Sequence, residues 1–143
     1  MVIVLMGESC TGKTTLAKEI QASVGADIYS GKDYLRLAKN ENDAKKLFVE
    51  RLEAAVNGGN VIYIIAEKEG LSLLPEKTFR ILVTADIDKI KERFAARMNG
   101  RLPAPVAAML EKKHGCFDQE ANDVHIHNGT PDAAYVIQVL GQN

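Results

Sequence analysis

Apolar positions along this chain follow two alternating rhythms. Val2-Ile3-Val4-Leu5-Met6 is a short, continuous run rich in β-branched side chains that stops at Gly7, the pattern of a strand covered on both faces. Past the next loop, the stretch from Thr14 to Val24 sets Leu16, Ile20 and Val24 four residues apart, which predicts one face of a helix ending before Gly25. Asp27 to Ser30 reads as a weak strand. Helical stretches follow over Asp33 to Lys39 and Asn42 to Asn57, the second carrying Ala44, Leu47, Phe48, Leu52, Ala55 and Val56 on one face. Val61 to Ala66 and Phe79 to Thr84 are further buried strands, separated by a loop containing Pro75. Asp86 stands where a cap belongs for a helix with Ile87, Ile90, Phe94 and Met98 at spacings of three and four. Ala104 to Lys113 reads as helix and Val124 to His127 as a short last strand. A closing helix carries Tyr135, Val136, Val139 and Leu140, with Thr130 as its expected cap and Pro131 at its first position.

Strands alternating with helices at short spacing predict an α/β fold in three layers, a mostly parallel five-stranded sheet with helices on both faces. The 143 residues amount to one domain at about 150 residues each, and no repeat or linker divides them. With 46% hydrophobic and 26% charged residues, the chain has enough apolar side chains for one core. Eighteen Lys and Arg against nineteen Asp and Glu give a net charge of -1, which supplies no general attraction for nucleic acid, so any anion site has to be local. Cys10 and Cys116 form no C-x-x-C pair, which makes a reducing, cytoplasmic setting the expectation. No apolar run approaches the roughly 18 residues of a membrane span, and the opening run has no basic leader before it. A soluble protein with no membrane partner is expected.

The decisive motif is Gly7-Glu8-Ser9-Cys10-Thr11-Gly12-Lys13-Thr14, which is G-x-x-x-x-G-K-[ST] placed between a strand and a helix. Its glycines allow consecutive backbone N–H groups to turn inward around a phosphate chain, and the helix that follows adds the partial positive charge of its N-terminus. The motif implies ATP held by residues 7–15 (Gly7 to Thr15), with Lys13 on the β- and γ-phosphates and the Thr14 hydroxyl on Mg2+. Cys10 within the loop is either a thiol acidified by the helix end or a small filler. No N-K-x-D or L-S-G-G-Q sequence is present, so a GTPase switch or a transporter ATPase has no support.

Three further segments, taken with this loop, carry a resemblance. Ser30-Gly31-Lys32-Asp33-Tyr34-Leu35-Arg36 resembles the S-T-G-D-x-L-R stretch of adenylate kinases, and Arg97-Met98-Asn99-Gly100-Arg101 resembles the R-x-x-G-R that opens their lid. Asp123 to Thr130 is similar to the turn before their last helix. The chain thus resembles the P-loop nucleoside monophosphate kinase family, adenylate and cytidylate kinases and their small-molecule kinase relatives, over nearly its whole length. The resemblance implies a P-loop fold with an acceptor segment at about 30–57 and a small lid at about 97–118. It implies catalytic roles for Lys13, Arg97 and Arg101, acceptor binding by Asp33 and Arg36, and an adenine contact by Asn128, with Arg97 also against the nucleotide. Glu67, at the end of a buried strand, could hold Mg2+ through water together with Thr14. Two departures are plain: Lys32 replaces a glycine, and Glu67-Lys68-Glu69-Gly70 stands where cytidylate kinases carry an arginine.

His114, Cys116, His125 and His127 have zinc-ligand chemistry, but their spacing matches no closed zinc site and Mg2+ is the expected metal. The resulting expectation is a kinase moving the γ-phosphoryl of MgATP to a nucleoside monophosphate or similar small acceptor. Two alternatives stand beside it: an ATP-binding module without an acceptor, and a kinase for a non-nucleotide hydroxyl metabolite. Neither the acceptor nor the oligomeric state follows from the sequence.

Overall fold

The strands form where the apolar runs lie. In a computed structural model, which describes residues 1–142, they are β1 Val2–Met6, β2 Asp27–Ser30, β3 Val61–Ile65, β4 Phe79–Thr84 and β5 Val124–His127. All pair in parallel, in the spatial order β2-β3-β1-β4-β5. The helices are α1 Lys13–Val24, α2 Glu41–Asn57, α3 Ile87–Arg97, α4 Ala104–Lys113 and α5 Ala133–Leu140.

Alternation along each strand sorts side chains onto two cores. Val2, Val4 and Met6 of β1 face α2, where Phe48 and Leu52 are fully buried, while Ile3 and Leu5 face α1 and α5 through Ile20 and Val136. The result is the expected three-layer α/β/α sandwich. Phe48 is the hub of the first core, with ring centroids 4.9 Å from Tyr29, 5.1 Å from Tyr34 and 4.9 Å from Tyr63.

Local departures from expectation have local causes. The stretch expected as helix over Asp33 to Lys39 is a single 3-10 turn, Asp33–Leu37, because the Asp33 carboxylate accepts the Ser30 N–H at 3.0 Å and Ala38 is already extended. Asn40 then caps α2, accepting the Asp43 N–H at 2.8 Å. A second 3-10 turn, Lys68–Leu73, follows β3, and its lack of helical spacing left it invisible in the sequence. The closing helix begins later than expected, with Asp132 as its cap accepting the Tyr135 N–H at 3.2 Å. Thr130 is unavailable because its backbone exchanges two hydrogen bonds with His127 across the Asn128-Gly129 turn, at 2.9 and 3.0 Å. Asp86 occupies the cap position of α3, but its carboxylate turns to His127 and Asn128 and leaves the helix N–H groups alone.

Candidate active site

The loop from Gly7 to Thr14 leaves β1 where the sheet has β3 on one side and β4 on the other. That is the switch point at which open parallel sheets bind ligands. Two contacts pin its start. The Gly7 N–H donates to the Ile65 carbonyl at 3.1 Å, and a Cβ at Gly7 would stand 2.0 Å from the Val83 carbonyl oxygen, so only glycine lets β4 pass this closely. At the far end Gly12 takes φ +99°, a value that turns the chain into α1.

Cys10 sits between them at φ 65°, uncommon for a side chain with a Cβ, and is held there by burial against Ala85, Ile90 and Leu110. Arg93 of α3 donates to its carbonyl at 3.0 Å, and Thr11 donates to the Glu8 carbonyl at 2.9 Å. Among the described residues, the N–H groups of residues 8–12 donate to no backbone carbonyl, and Ser9, Thr14 and Thr15 are exposed. This is a cradle of free donors of the kind a polyphosphate fills.

Lys13 is buried inside this cradle and its ammonium donates to the Glu8 carbonyl at 2.5 Å. Its pKa falls to about 8, chiefly through burial and against the opposing pull of Cys10 and Glu8, with the nearby Arg97 charge adding to the effect of burial. Nucleotide affinity is therefore expected to be level below pH 8 and to fall above it by up to about tenfold per pH unit, as Lys13 loses the proton that attracts phosphate. Calorimetric titration of ADP across pH 6.5 to 9.5 checks this, with Lys13→Ala expected to flatten the profile. The sign for folding is opposite: because the unfolded chain keeps this proton up to about 10.5, stability rises with pH between about 8 and that value.

One cavity opens on the loop itself, and a second adjoins the end of β3, whose Ile65 accepts the Gly7 N–H. The larger, about 590 Å³, is lined by Cys10, Thr11, Gly12 and Thr15 of the loop, by Arg93 and Arg97 of α3, and by Gly129 and Pro131 of the turn after β5. The smaller, about 200 Å³, lies beyond β3 and is lined by Lys32 and Tyr34, by Glu41 and Lys45 of α2, by Tyr63, and by Glu67, Glu69 and Ser72.

The expected residues divide between these places. Glu8 is buried with its carboxylate 3.0 Å from His114 Nδ1, a pairing across the fold that no spacing in the sequence announces. Arg97 reaches the larger cavity. Arg101 is exposed between α3 and α4. The Asn128 side chain is occupied at both ends by Asp86, accepting its N–H and donating to its carboxylate, each at 3.0 Å. It thus fixes the turn that carries Gly129 into the cavity wall. Losing both bonds in Asn128→Ala is expected to raise the KM for ATP roughly three- to tenfold at unchanged kcat, measured by steady-state kinetics. The Asn128 amide bond to the carboxylate, and after it the His127 ring bond at 3.1 Å, hold the exposed Asp86 carboxyl below its ordinary pKa.

On the other side, Glu67 borders the smaller cavity and pairs with Lys113 at 3.1 Å. Asp33 secures the turn carrying Lys32 and Tyr34, while the exposed Arg36 guanidinium lies over the Tyr29 ring, 5.4 Å from its centroid, away from both cavity walls. The segment 97–118 packs Leu102, Val106 and Leu110 against Ile90 and Phe94 of α3, and inserts Phe117 into the core. His125 and His127 both bond the Thr84 hydroxyl, at 2.7 and 2.8 Å.

The chain shares its fold with solved kinases. A candidate kinase from Chloroflexus aurantiacus superposes with a TM-score of 0.68 at 15% identity, covering 99% of this chain and 96% of that one. Shikimate kinase from Acinetobacter baumannii, solved with shikimate, gives 0.63 at 14% identity over 99% and 90%. The tunicamycin resistance protein of Deinococcus radiodurans gives 0.62 at 16% over 99% and 93%. No family model and no curated protein matches the sequence. At these identities the likeness shows a P-loop kinase-like fold.

Proposed function

We propose that this chain is a small-molecule kinase that transfers the γ-phosphoryl group of MgATP to a hydroxyl of a small, non-nucleotide acceptor. The observation that carries this reading is a phosphate loop with a buried lysine that lines the larger of two unequal cavities, the smaller lying past the end of the neighbouring strand β3. The larger has the volume of a drug-sized ligand site, about 300–1,000 Å³, and takes the nucleotide. The smaller falls below that range and takes the acceptor.

In the transfer, the acceptor hydroxyl oxygen bonds to the γ-phosphorus as the bond to the β–γ bridging oxygen breaks; ADP leaves and the hydroxyl proton is released. Lys13 and the free loop N–H groups orient the β- and γ-phosphates. Arg97 adds fixed positive charge beside them, and Arg101 follows it on the chain as a second cation for the moving group. Arg93 fixes the loop through the Cys10 carbonyl. The Thr14 hydroxyl and the Glu67 carboxylate are hard oxygen donors suited to Mg2+, which neutralises phosphate charge when bound.

A nucleoside monophosphate acceptor draws its support from the Asp33 and Arg36 segment, and the place of Arg36 over Tyr29 favours the non-nucleotide reading instead. Acceptor-dependent ADP release from MgATP, measured against sugars, polyols, hydroxy acids and nucleoside monophosphates with calorimetry of ATP alongside, tests the proposal. Release on a non-nucleotide acceptor supports it. ATP binding without release on any acceptor would make the chain a nucleotide-binding module.

A further inference from the structure

We infer that the acceptor is a hydroxyl compound bearing no acidic group, a sugar-like or cyclic alcohol rather than a phosphate or a carboxylate. The inference rests on the kinase reading for its chemistry and on the smaller cavity for its specificity. Recognition of phosphate or carboxylate in a small site relies on cations in excess, above all on the arginine fork. Among the described residues, no arginine lines this cavity. Its two lysines face three carboxylates, Glu41, Glu67 and Glu69, and each lysine has a carboxylate partner: Lys32 with Glu69 at 3.7 Å and Lys45 with Glu41 at 3.3 Å. Glu67 is matched from outside by Lys113. Exposed pairs of this kind are weak and can open, but opening one frees a carboxylate for every ammonium it frees, so an entering anion gains no net attraction.

The nucleotide cavity differs in the kind of cation it carries. Arg93 and Arg97 stand in its wall together with the carboxylates of Glu19 and Asp132, and Lys13 is buried in the adjoining loop. The arginine forks that suit a phosphoryl donor, and the buried Lys13, belong to the larger cavity and its loop, whereas the smaller cavity offers only lysines already paired with carboxylates.

The floor of the smaller cavity points the same way. Tyr34, Tyr63 and Ile65 are buried residues that line it, and Gly70 approaches so closely that a Cβ there would lie 3.0 Å from the Tyr63 hydroxyl. Burial raises the Tyr63 phenol to about 12, so it stays neutral, and it donates to the Gly31 carbonyl at 3.3 Å. An apolar, aromatic floor under a rim of paired charges and the exposed Ser72 fits a ring with one apolar face and hydroxyls at its edge.

Matched pairs of probes test this: glucose against glucuronate, sorbitol against gluconate, and inositol against inositol monophosphate. Saturation-transfer NMR on the full chain with ADP present reads binding, and ADP release from MgATP reads turnover. The expected result is a stronger signal for the uncharged member of each pair, with the preference reduced at least threefold in the Glu41→Gln, Glu69→Gln double variant, where the lysines are released. Tighter binding of the acidic members to the wild-type chain, or binding of neither member, overturns the inference. The kinase reading fails separately: uncharged probes that bind without releasing ADP leave the cavity's preference standing and remove the transfer, whereas turnover of an acidic probe keeps the transfer and removes the preference.

Discussion

Lys13→Ala is expected to lower acceptor-dependent ADP release by about 10²- to 10³-fold in kcat, the loss typical of removing one preorganised charge donor from a transition state. The folded chain tolerates this change well. Lys13 is buried, and burial already opposes its charge, so alanine removes an amine that folding pays to desolvate. Its hydrogen bond to the Glu8 carbonyl is lost, but Thr11 still donates to that oxygen at 2.9 Å. Thermal unfolding of the variant should therefore match or exceed that of the wild type while turnover collapses. Retained turnover with intact folding would remove Lys13 from the reaction.

Gly7→Ala is expected to act in the opposite way, on the fold first. The added Cβ would lie 2.0 Å from the Val83 carbonyl oxygen and 3.1 Å from its carbon, and the obstacle is backbone in the central sheet, which has no rotamer by which to yield. Overpacking of this kind costs about 3 kcal/mol or more, equivalent to a fall in Tm on the order of 10 °C. Relief requires β1 and β4 to separate, or the loop to lose its bond to the Ile65 carbonyl, so nucleotide affinity should fall as well. Differential scanning calorimetry with and without ADP reads both effects. A variant with wild-type Tm would show that the loop has more room than this geometry allows.

What the sequence disclosed and what it hid follow from the range of the interactions involved. Buried strands such as Val61 to Ile65 and Phe79 to Thr84 are visible because a strand covered on both faces must be apolar along its whole length. The phosphate loop is visible because close backbone passage and left-handed turning dictate glycine at positions 7 and 12. Side chains whose partners lie far along the chain are not visible. Glu8 meets His114, Arg93 meets the Cys10 carbonyl, and Asp86 meets Asn128 only after the sheet has brought them together. Thr130 and Asp132 illustrate the limit at short range, since both are good caps and the choice between them was made by the turn that consumed the Thr130 backbone. The smaller cavity was hidden for a related reason: its walls come from a 3-10 turn without periodicity, from α2 and from the end of β3.

On the proposed reading, a division of labour between the two cavities bears on how such a protein changes over generations. The donor side would be made of the loop, α3 and the sheet interior, where Gly7 and Lys13 admit few replacements. The proposed acceptor side is rimmed by the exposed Lys32, Glu41, Glu69 and Ser72 and the half-buried Lys45, all outside the hydrophobic core clusters. Substitutions there are close to neutral for folding. If the proposed transfer holds, a lineage carrying this architecture can drift from one acceptor to another by single surface exchanges while its phosphoryl donor stays fixed, and a designer seeking a new substrate has the same five positions to vary.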